Sequence, residues 1–203
     1  MIKKYGVYVI LLCGWILFLT LWVNEKNENE HYRGYLSKVI AEKMGLITTV
    51  PSYSIGILEE IQDSKSITKE QANELSLSLI KLDREIQDIS NFAVEIGMLE
   101  TEVHHIRQVI RKYNNLLLNL TSTLDNNLEF SLSNEQLSEF AEFKRLMELF
   151  YQTNMNHLYF TSAIGEDSPT LGFINYYSNI SIDNDYWVFI LKKYEEISSK
   201  NNY

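Results

Sequence analysis

The sequence predicts an all-α protein, with an N-terminal transmembrane helix followed by an antiparallel helical bundle that contains long heptad-patterned helices. Three observations support this fold class. A charge-free apolar run extends from Tyr5 to Val23. Two stretches downstream repeat apolar residues in alternating steps of three and four, the spacing of packed helices. The chain of 203 residues contains only two prolines and eight glycines, too few for the frequent turns of a β protein.

The run from Tyr5 to Val23 is interpreted as a retained membrane anchor. As a helix it spans roughly 28 Å, close to the roughly 30 Å hydrocarbon core of a bilayer. A cleaved signal peptide is the alternative, because Lys3 and Lys4 precede the run. Retention is favoured because the run exceeds a typical signal-peptide core and no small-residue cleavage site follows it. The predicted organisation is a basic tail (1–4), a transmembrane anchor (5–23) and a helical bundle domain (24–203).

The basic residues alone do not set the orientation of the anchor, because Lys26, Arg33 and Lys38 follow it. A short basic tail before a signal anchor usually stays in the cytoplasm, and a long following domain crosses largely regardless of its charge. We expect a single-pass membrane protein with the bulk of the chain outside the cytoplasm. Any signal that crosses the membrane would then need a partner protein or an oligomer.

The charge of the chain excludes one class of partner. The net charge is −9 at pH 7, and setting aside Lys3 and Lys4 leaves −11 for the remainder. An acidic surface disfavours nucleic acid and anionic lipid headgroups, so no nucleic-acid partner is expected.

Cys13 is the only cysteine, which excludes an internal disulfide. We interpret Cys13 as an apolar residue within the span rather than as a lipidation site.

The segment after the anchor predicts two helices separated by a loop. The first is an amphipathic helix over Glu28–Lys43, which can continue from the membrane helix and is expected to stop at Gly45. Leu46–Ser54 is predicted as a loop or short extended piece, because Pro51 cannot donate a helical hydrogen bond. A short helix follows over Ile55–Gln62.

Two heptad seams dominate the middle of the chain, and Thr68 with Gln71 has the capping-box spacing at the start of the first. The first seam consists of Ala72, Leu75, Leu79, Leu82, Ile86, Ile89, Ala93 and Ile96. The second consists of Leu99, Val103, Ile106, Ile110, Tyr113, Leu117, Leu120 and Leu124. The phase shifts near Gly97, so the chain either turns back there as an antiparallel hairpin or continues as one long helix with a three-residue stammer. The lack of a polar loop favours the long helix.

Another amphipathic helix is predicted after the polar connection Asp125–Ser133, with Ser133 and Gln136 as a second capping box. It is expected to end near Gly165 and to pack antiparallel on the preceding helix. Its amphipathic pattern comprises Leu137, Phe140, Ala141, Lys144, Met147 and Phe150.

Two shorter helices are predicted at the C-terminal end. Ser168 and Pro169 suit the cap and first turn of a helix that extends to about Ser178. Asp183 or Asp185 suits the start of a last helix through Ser198.

The sequence contains no common catalytic signature, and we assign no catalytic, cofactor-binding or metal-binding residue. Glu102 and His105 have the Glu-x-x-His spacing of di-iron bundles, but such sites need two of these pairs and two further glutamates. The other pair with this spacing, Glu28 and His31, lies in the polar segment just after the anchor. The side chains of His104 and His105 diverge by about 100° on a helix and cannot hold one ion. A solvated polar face is the preferred interpretation.

Aromatic residues crowd the C-terminal third: Phe150, Tyr151, Tyr159, Phe160, Phe173, Tyr176, Tyr177, Tyr186, Trp187, Phe189 and Tyr194. This density suits a partner surface or a ligand pocket between helices. Packing at the end of the bundle, where short helices cross, is the preferred interpretation.

These observations predict a membrane-anchored, non-catalytic interaction or sensing module whose heptad seams pair internally or with a second copy. A bundle enzyme is the alternative, with a carboxylate and histidine site formed by Glu100, Glu102, His104, His105 and His157. Convergence of these side chains on one buried cavity would support the enzyme, and their exposure would argue against it.

Overall fold

A computed structural model describes the backbone of residues 2–123, 129–159 and 169–200, and the side chains of residues 11–122, 129–159 and 172–200. The elements are α1 (Ile2–Ser64), β1 (Ser66–Thr68), α2 (Lys69–Glu95), α3 (His105–Thr123), β2 (Glu129–Ser131), α4 (Asn134–His157), α5 (Pro169–Tyr177) and α6 (Tyr186–Lys200). A 3-10 turn, Ser181–Asp183, lies between α5 and α6. The all-α prediction is confirmed.

Helix α1 is one continuous helix of 63 residues, about 95 Å long at 1.5 Å per residue. The predicted stop at Gly45 and the predicted loop over Leu46–Ser54 are therefore wrong. Proline inside a helix costs about 3 kcal/mol, but Pro51 is flanked by residues that the bundle core buries: Met44, Ile47, Val50, Ile57, Leu58 and Ile61. Tertiary packing on both sides of Pro51 outweighs the local preference for a break.

A buried hydrogen bond joins α4 to this part of α1. The side-chain amide of Asn154 donates to the Thr48 carbonyl at 3.3 Å, and the Tyr194 hydroxyl donates to the amide oxygen of Asn154 at 2.8 Å. All three residues are buried. The contact ties α1, α4 and α6 together three residues before Pro51.

Helix α2 packs antiparallel on α1. Lys43 lies 2.6 Å from Glu85 and 2.8 Å from Asp88, and near the other end the Tyr53 hydroxyl donates to Glu74 at 3.0 Å. Burial opposes the charge of Lys43, but its hydrogen bonds to Asp88 and Glu85 raise its pKa above the usual value. The predicted capping box of Thr68 and Gln71 at the start of α2 is confirmed.

Helix α3 turns back on α2, so the preferred single long helix is wrong and the hairpin alternative is correct. Gly97 has φ +75°, a left-handed conformation that glycine adopts at little cost. Arg107 bonds Asp83 at 2.9 Å and Asn114 accepts from Ser76 at 2.7 Å, which fixes the antiparallel pairing. The turn buries both seams against each other, which a straight helix cannot do.

The two heptad seams form much of the core. The first seam is buried from Ala72 to Ala93, while Ile96 is 43% exposed because α2 ends before it. The second is buried from Val103 to Leu120. The predicted seam residue Leu124 lies outside the described residues.

Helix α4 starts at the predicted capping box of Ser133 and Gln136. It ends at His157 rather than near Gly165, and residues 160–168 lie outside the described part. It runs antiparallel to α1, as the Lys144–Glu59 pair at 3.1 Å and the Asn154–Thr48 bond show. Its main neighbours are α1 and α6 rather than the preceding helix α3.

The connection before α4 includes β2, which pairs antiparallel with β1 and places Ile67 opposite Phe130. This small sheet closes one end of the bundle. At the opposite end α5 packs on α1, while α6 packs on α2, α3 and α4. The predicted helix start at Pro169 is confirmed, and α6 begins directly after Asp185.

Among the residues whose side chains are described, no helix is long and apolar enough to cross a membrane. The predicted anchor begins at Tyr5, and the side chains of residues 2–10 lie outside the described part.

Gly97→Ala is expected to lower the free energy of unfolding by about 1–2 kcal/mol, the usual cost of the left-handed conformation for an L side chain. A Cβ at Gly97 meets no atom within 4 Å, so the cost arises from the backbone alone. Urea unfolding of the full chain in detergent, followed by circular dichroism, measures it.

The matched control is Gly56→Ala, because a Cβ at this helical glycine in α1 also meets no atom within 4 Å. This variant is expected to stabilise the protein by about 0.8–1 kcal/mol, the difference in helix propensity. Equal effects of the two substitutions would contradict the assigned turn at Gly97.

Candidate functional site

The N-terminal part of α1 projects from the bundle, and each residue from Leu11 to Tyr35 is exposed. We call residues 11–23 the apolar segment and residues 24–35 the polar spacer. Ten large side chains of the apolar segment are 40–69% exposed: Leu11, Leu12, Trp15, Ile16, Leu17, Phe18, Leu19, Leu21, Trp22 and Val23. A helix that is apolar on all sides normally lies inside a large protein or a membrane.

The hydroxyl group of the apolar segment is satisfied locally. The hydroxyl of Thr20 donates to the carbonyls of Ile16 at 3.0 Å and Leu17 at 2.8 Å. Cys13 is exposed within the segment. The side chains from Leu11 to Val23 therefore present an apolar surface with no unpaired hydroxyl.

The polar spacer separates this surface from the bundle by roughly 18 Å, at 1.5 Å per residue. Lys26 and Glu30 form an exposed ion pair at 3.9 Å, and Arg33 pairs with Asp183 of the 3-10 turn. Tyr32 and Tyr35 are exposed at its C-terminal end.

The aromatic cluster mainly packs the end of the bundle, as the preferred interpretation predicts. Six of its side chains are buried: Phe150, Phe173, Tyr177, Tyr186, Trp187 and Tyr194. The rings of Phe150 and Tyr194 stack at 4.0 Å, and burial raises the pKa of Tyr194 well above its usual value. Tyr159 and Tyr176 form an exposed pair at 4.5 Å, and Phe160 lies outside the described residues.

Glu195 of α6 caps the N-terminus of α3. Its carboxylate accepts the backbone N–H groups of His104 at 3.1 Å, His105 at 2.9 Å and Ile106 at 3.0 Å. The Nδ1 of His105 also lies 2.7 Å from this carboxylate. Burial opposes ionisation of Glu195, but these hydrogen bonds hold its pKa below the usual value. The carboxylate therefore joins α6 to three donors that the helix itself cannot satisfy.

The other predicted candidates do not meet in one buried cavity. Glu100 and Glu102 line an open cleft with Lys192 and Glu195, and Glu102 lies 3.7 Å from Arg107. His157 contacts the ring of Phe189 at 4.8 Å in an edge-to-face arrangement.

His104, His105 and His157 are all exposed. In the part of the chain that the structure describes, no group of three histidine, cysteine or acidic residues is placed to hold a metal ion.

Sequence reasoning missed the long-range polar contacts that Glu195 and Asn154 make at this end of the bundle. Glu195 stands in a run of charged residues, which by itself indicates a solvated face. Asn154 is a polar residue in the amphipathic pattern of α4, and the two heptad seams of α2 and α3 do not indicate that it is buried. A polar residue in line with buried positions of α4, such as Phe143, Met147 and Phe150, is the one available signal for Asn154.

No protein-family model, curated protein or solved structure matches this chain.

Glu195→Ala is expected to destabilise the protein by about 0.5–2 kcal/mol, the range for loss of a helix N-cap. Glu195→Gln keeps an acceptor but removes the charge. Because the pKa of Glu195 is lowered in the folded state, its stabilising contribution is complete above the ordinary value of 4.5 and disappears as the pH falls through the lowered pKa. Urea unfolding at pH 7 and at a series of values below 4.5 measures this loss.

The wild-type protein is therefore expected to lose more stability on acidification than the Glu195→Gln variant. Glu196→Gln is the control, because Glu196 lies on the same helix in exposed pairs with Lys193 and Lys200 and exposed pairs contribute little. The same acid dependence in wild type and Glu195→Gln would contradict the assigned role of this carboxylate.

Proposed function

We propose that this protein is a membrane-anchored helical bundle that acts as a non-catalytic interaction or sensing module. Residues 5–23 insert in the bilayer, the polar spacer crosses the interfacial region, and the bundle begins at Leu36. The bundle contacts a partner protein or a second copy.

The exposure of the apolar segment carries the proposal. Burying one large apolar side chain stabilises a protein by about 1.5–3 kcal/mol relative to exposing it, and ten such side chains of the segment are exposed. With residues 5–10 the charge-free run reaches the length of a bilayer-spanning helix. Trp22 lies at its end, where amphipathic rings favour the headgroup region.

The continuity of α1 supports a role in sensing or positioning. The same helix contains the apolar segment and, farther along, core residues of the bundle such as Met44 and Leu58. A displacement of the bundle end of α1 is thus transmitted along one element toward the membrane. Any further step of signalling falls to the partner.

The surface of the bundle supports interaction more than catalysis. Leu77, Ile80 and Leu118 are large apolar side chains exposed on α2 and α3, and Tyr159 and Tyr176 add an exposed aromatic pair. Aromatic and apolar side chains of this kind are typical anchors of protein interfaces.

A paired substitution tests the anchor. Leu12→Arg with Ile16→Arg is expected to abolish stable insertion in phosphatidylcholine vesicles, because each arginine near the centre of a spanning helix costs about 2.5–3.5 kcal/mol. Flotation of the full chain with the vesicles, followed by extraction with alkaline carbonate, measures insertion.

Leu77→Arg with Ile80→Arg is the matched control, because these side chains are 58% and 48% exposed against 63% and 54% for Leu12 and Ile16. The control is expected to float and to resist carbonate like the wild type. Release of the wild-type chain by carbonate would refute the anchor.

We also propose that the bundle lies outside the cytoplasm. In a Cys13→Ser background, a cysteine at the exposed residue Lys81 of α2 is expected to react with a membrane-impermeant maleimide on intact cells. A cytoplasmic protein with one reactive cysteine serves as the unlabelled control. Labelling that requires permeabilised cells would reverse the orientation while leaving the anchor itself in place.

A further inference from the structure

Support of α1 by the bundle begins within a few residues of Gly34. Residues 11–35 are exposed, Leu36 is half-buried and Ser37 is fully buried. Gly34 thus lies where the projecting helix leaves its neighbours. Glycine gives a helix more backbone freedom than any other residue, so Gly34 is a point at which α1 bends readily between its projecting part and the bundle.

The 3-10 turn Ser181–Asp183 holds α1 on both sides of Gly34. Before the glycine, Arg33 forms an ion pair with Asp183. After it, the Ser37 hydroxyl accepts the backbone N–H of Ile182 at 3.0 Å. Two consecutive residues of one turn therefore contact α1 on both sides of this glycine.

The turn itself is fixed to the bundle through Ser181, which is fully buried. The Ser181 carbonyl accepts the indole N–H of Trp187 at 3.0 Å, and its hydroxyl is hydrogen-bonded to Tyr186 at 2.8 Å and donates to the Tyr177 carbonyl at 2.8 Å. Trp187 is fully buried and stacks on Phe92 of α2 at 5.9 Å. The turn consequently moves with the bundle and not with the projecting part of α1.

We propose that the turn Ser181–Asp183 is a splint that sets the angle between the projecting part of α1 and the bundle. The Arg33–Asp183 pair is its releasable contact, because more than half of each side chain is exposed and salt weakens exposed pairs. The Ser37–Ile182 bond is its partly buried contact. Loss of the ion pair allows α1 to bend at Gly34, whether or not residues 5–23 lie in a membrane.

Distances between spin labels test the splint in the full chain in detergent micelles. The labels occupy cysteines at the exposed residues Asn27 of the spacer and Lys81 of α2, in a Cys13→Ser background. Asp183→Asn is expected to widen the distance distribution at least twofold, and about 0.5 M salt is expected to widen that of the parent chain as well.

Gly34→Ala separates bending at Gly34 from a general loosening of the bundle. A Cβ there meets no atom within 4 Å, so alanine stiffens the helix without steric conflict. Added to Asp183→Asn, it is expected to reverse at least half of the increase in the width of the distance distribution. Lys38→Gln, which removes the neighbouring pair with Glu42 at 3.8 Å, is the control and is expected to leave the distribution unchanged.

Two results would overturn the proposal. An Asp183→Asn distribution as narrow as that of the parent chain would show that the ion pair does not restrain α1. A broadened distribution that Gly34→Ala leaves unchanged would place the bend elsewhere. A thermal unfolding midpoint equal to that of the parent chain is expected for Asp183→Asn, because its pair is exposed.

Discussion

Burial of the C-terminal half of α1 is the constraint on which the rest of the structure depends. Between Ser37 and Ile61 this helix contacts α2 along one side and α4 along another, and near its exposed part it contacts α5 and the turn Ser181–Asp183. Its core residues hold the helix intact through Pro51. If α1 broke there, α2 and α4 would each lose part of the surface on which they pack.

Three buried or half-buried polar contacts then determine how the remaining elements attach. Asn154 joins α4 to α1 and α6, Glu195 joins α6 to the first turn of α3, and Ser181 joins the 3-10 turn to Trp187. Apolar packing alone allows helices to slide or rotate, whereas a hydrogen bond to a buried group is costly to leave unmade. These contacts therefore fix the relative positions of the helices at this end of the bundle, where packing is mainly apolar.

The apolar segment and the bundle share one helix, so the position of the bundle relative to the apolar segment depends on a single element. Two acidic side chains make contacts within the fold. Glu195 caps a helix and Glu102 lies beside Arg107, while the exposed apolar side chains remain available for contact.

The sequence by itself determined those features that depend on residues close together in the chain. The capping boxes at Thr68 and Ser133, the buried faces of the heptad helices and the charge-free run before the spacer all follow from local spacing. Only the tertiary structure decided the continuity of α1 through Pro51, the turn at Gly97, the pairing of α4 with α1 and the cap that Glu195 provides. Each of these depends on groups far apart in sequence, whose combined burial or hydrogen bonding outweighs a local preference of one to a few kcal/mol.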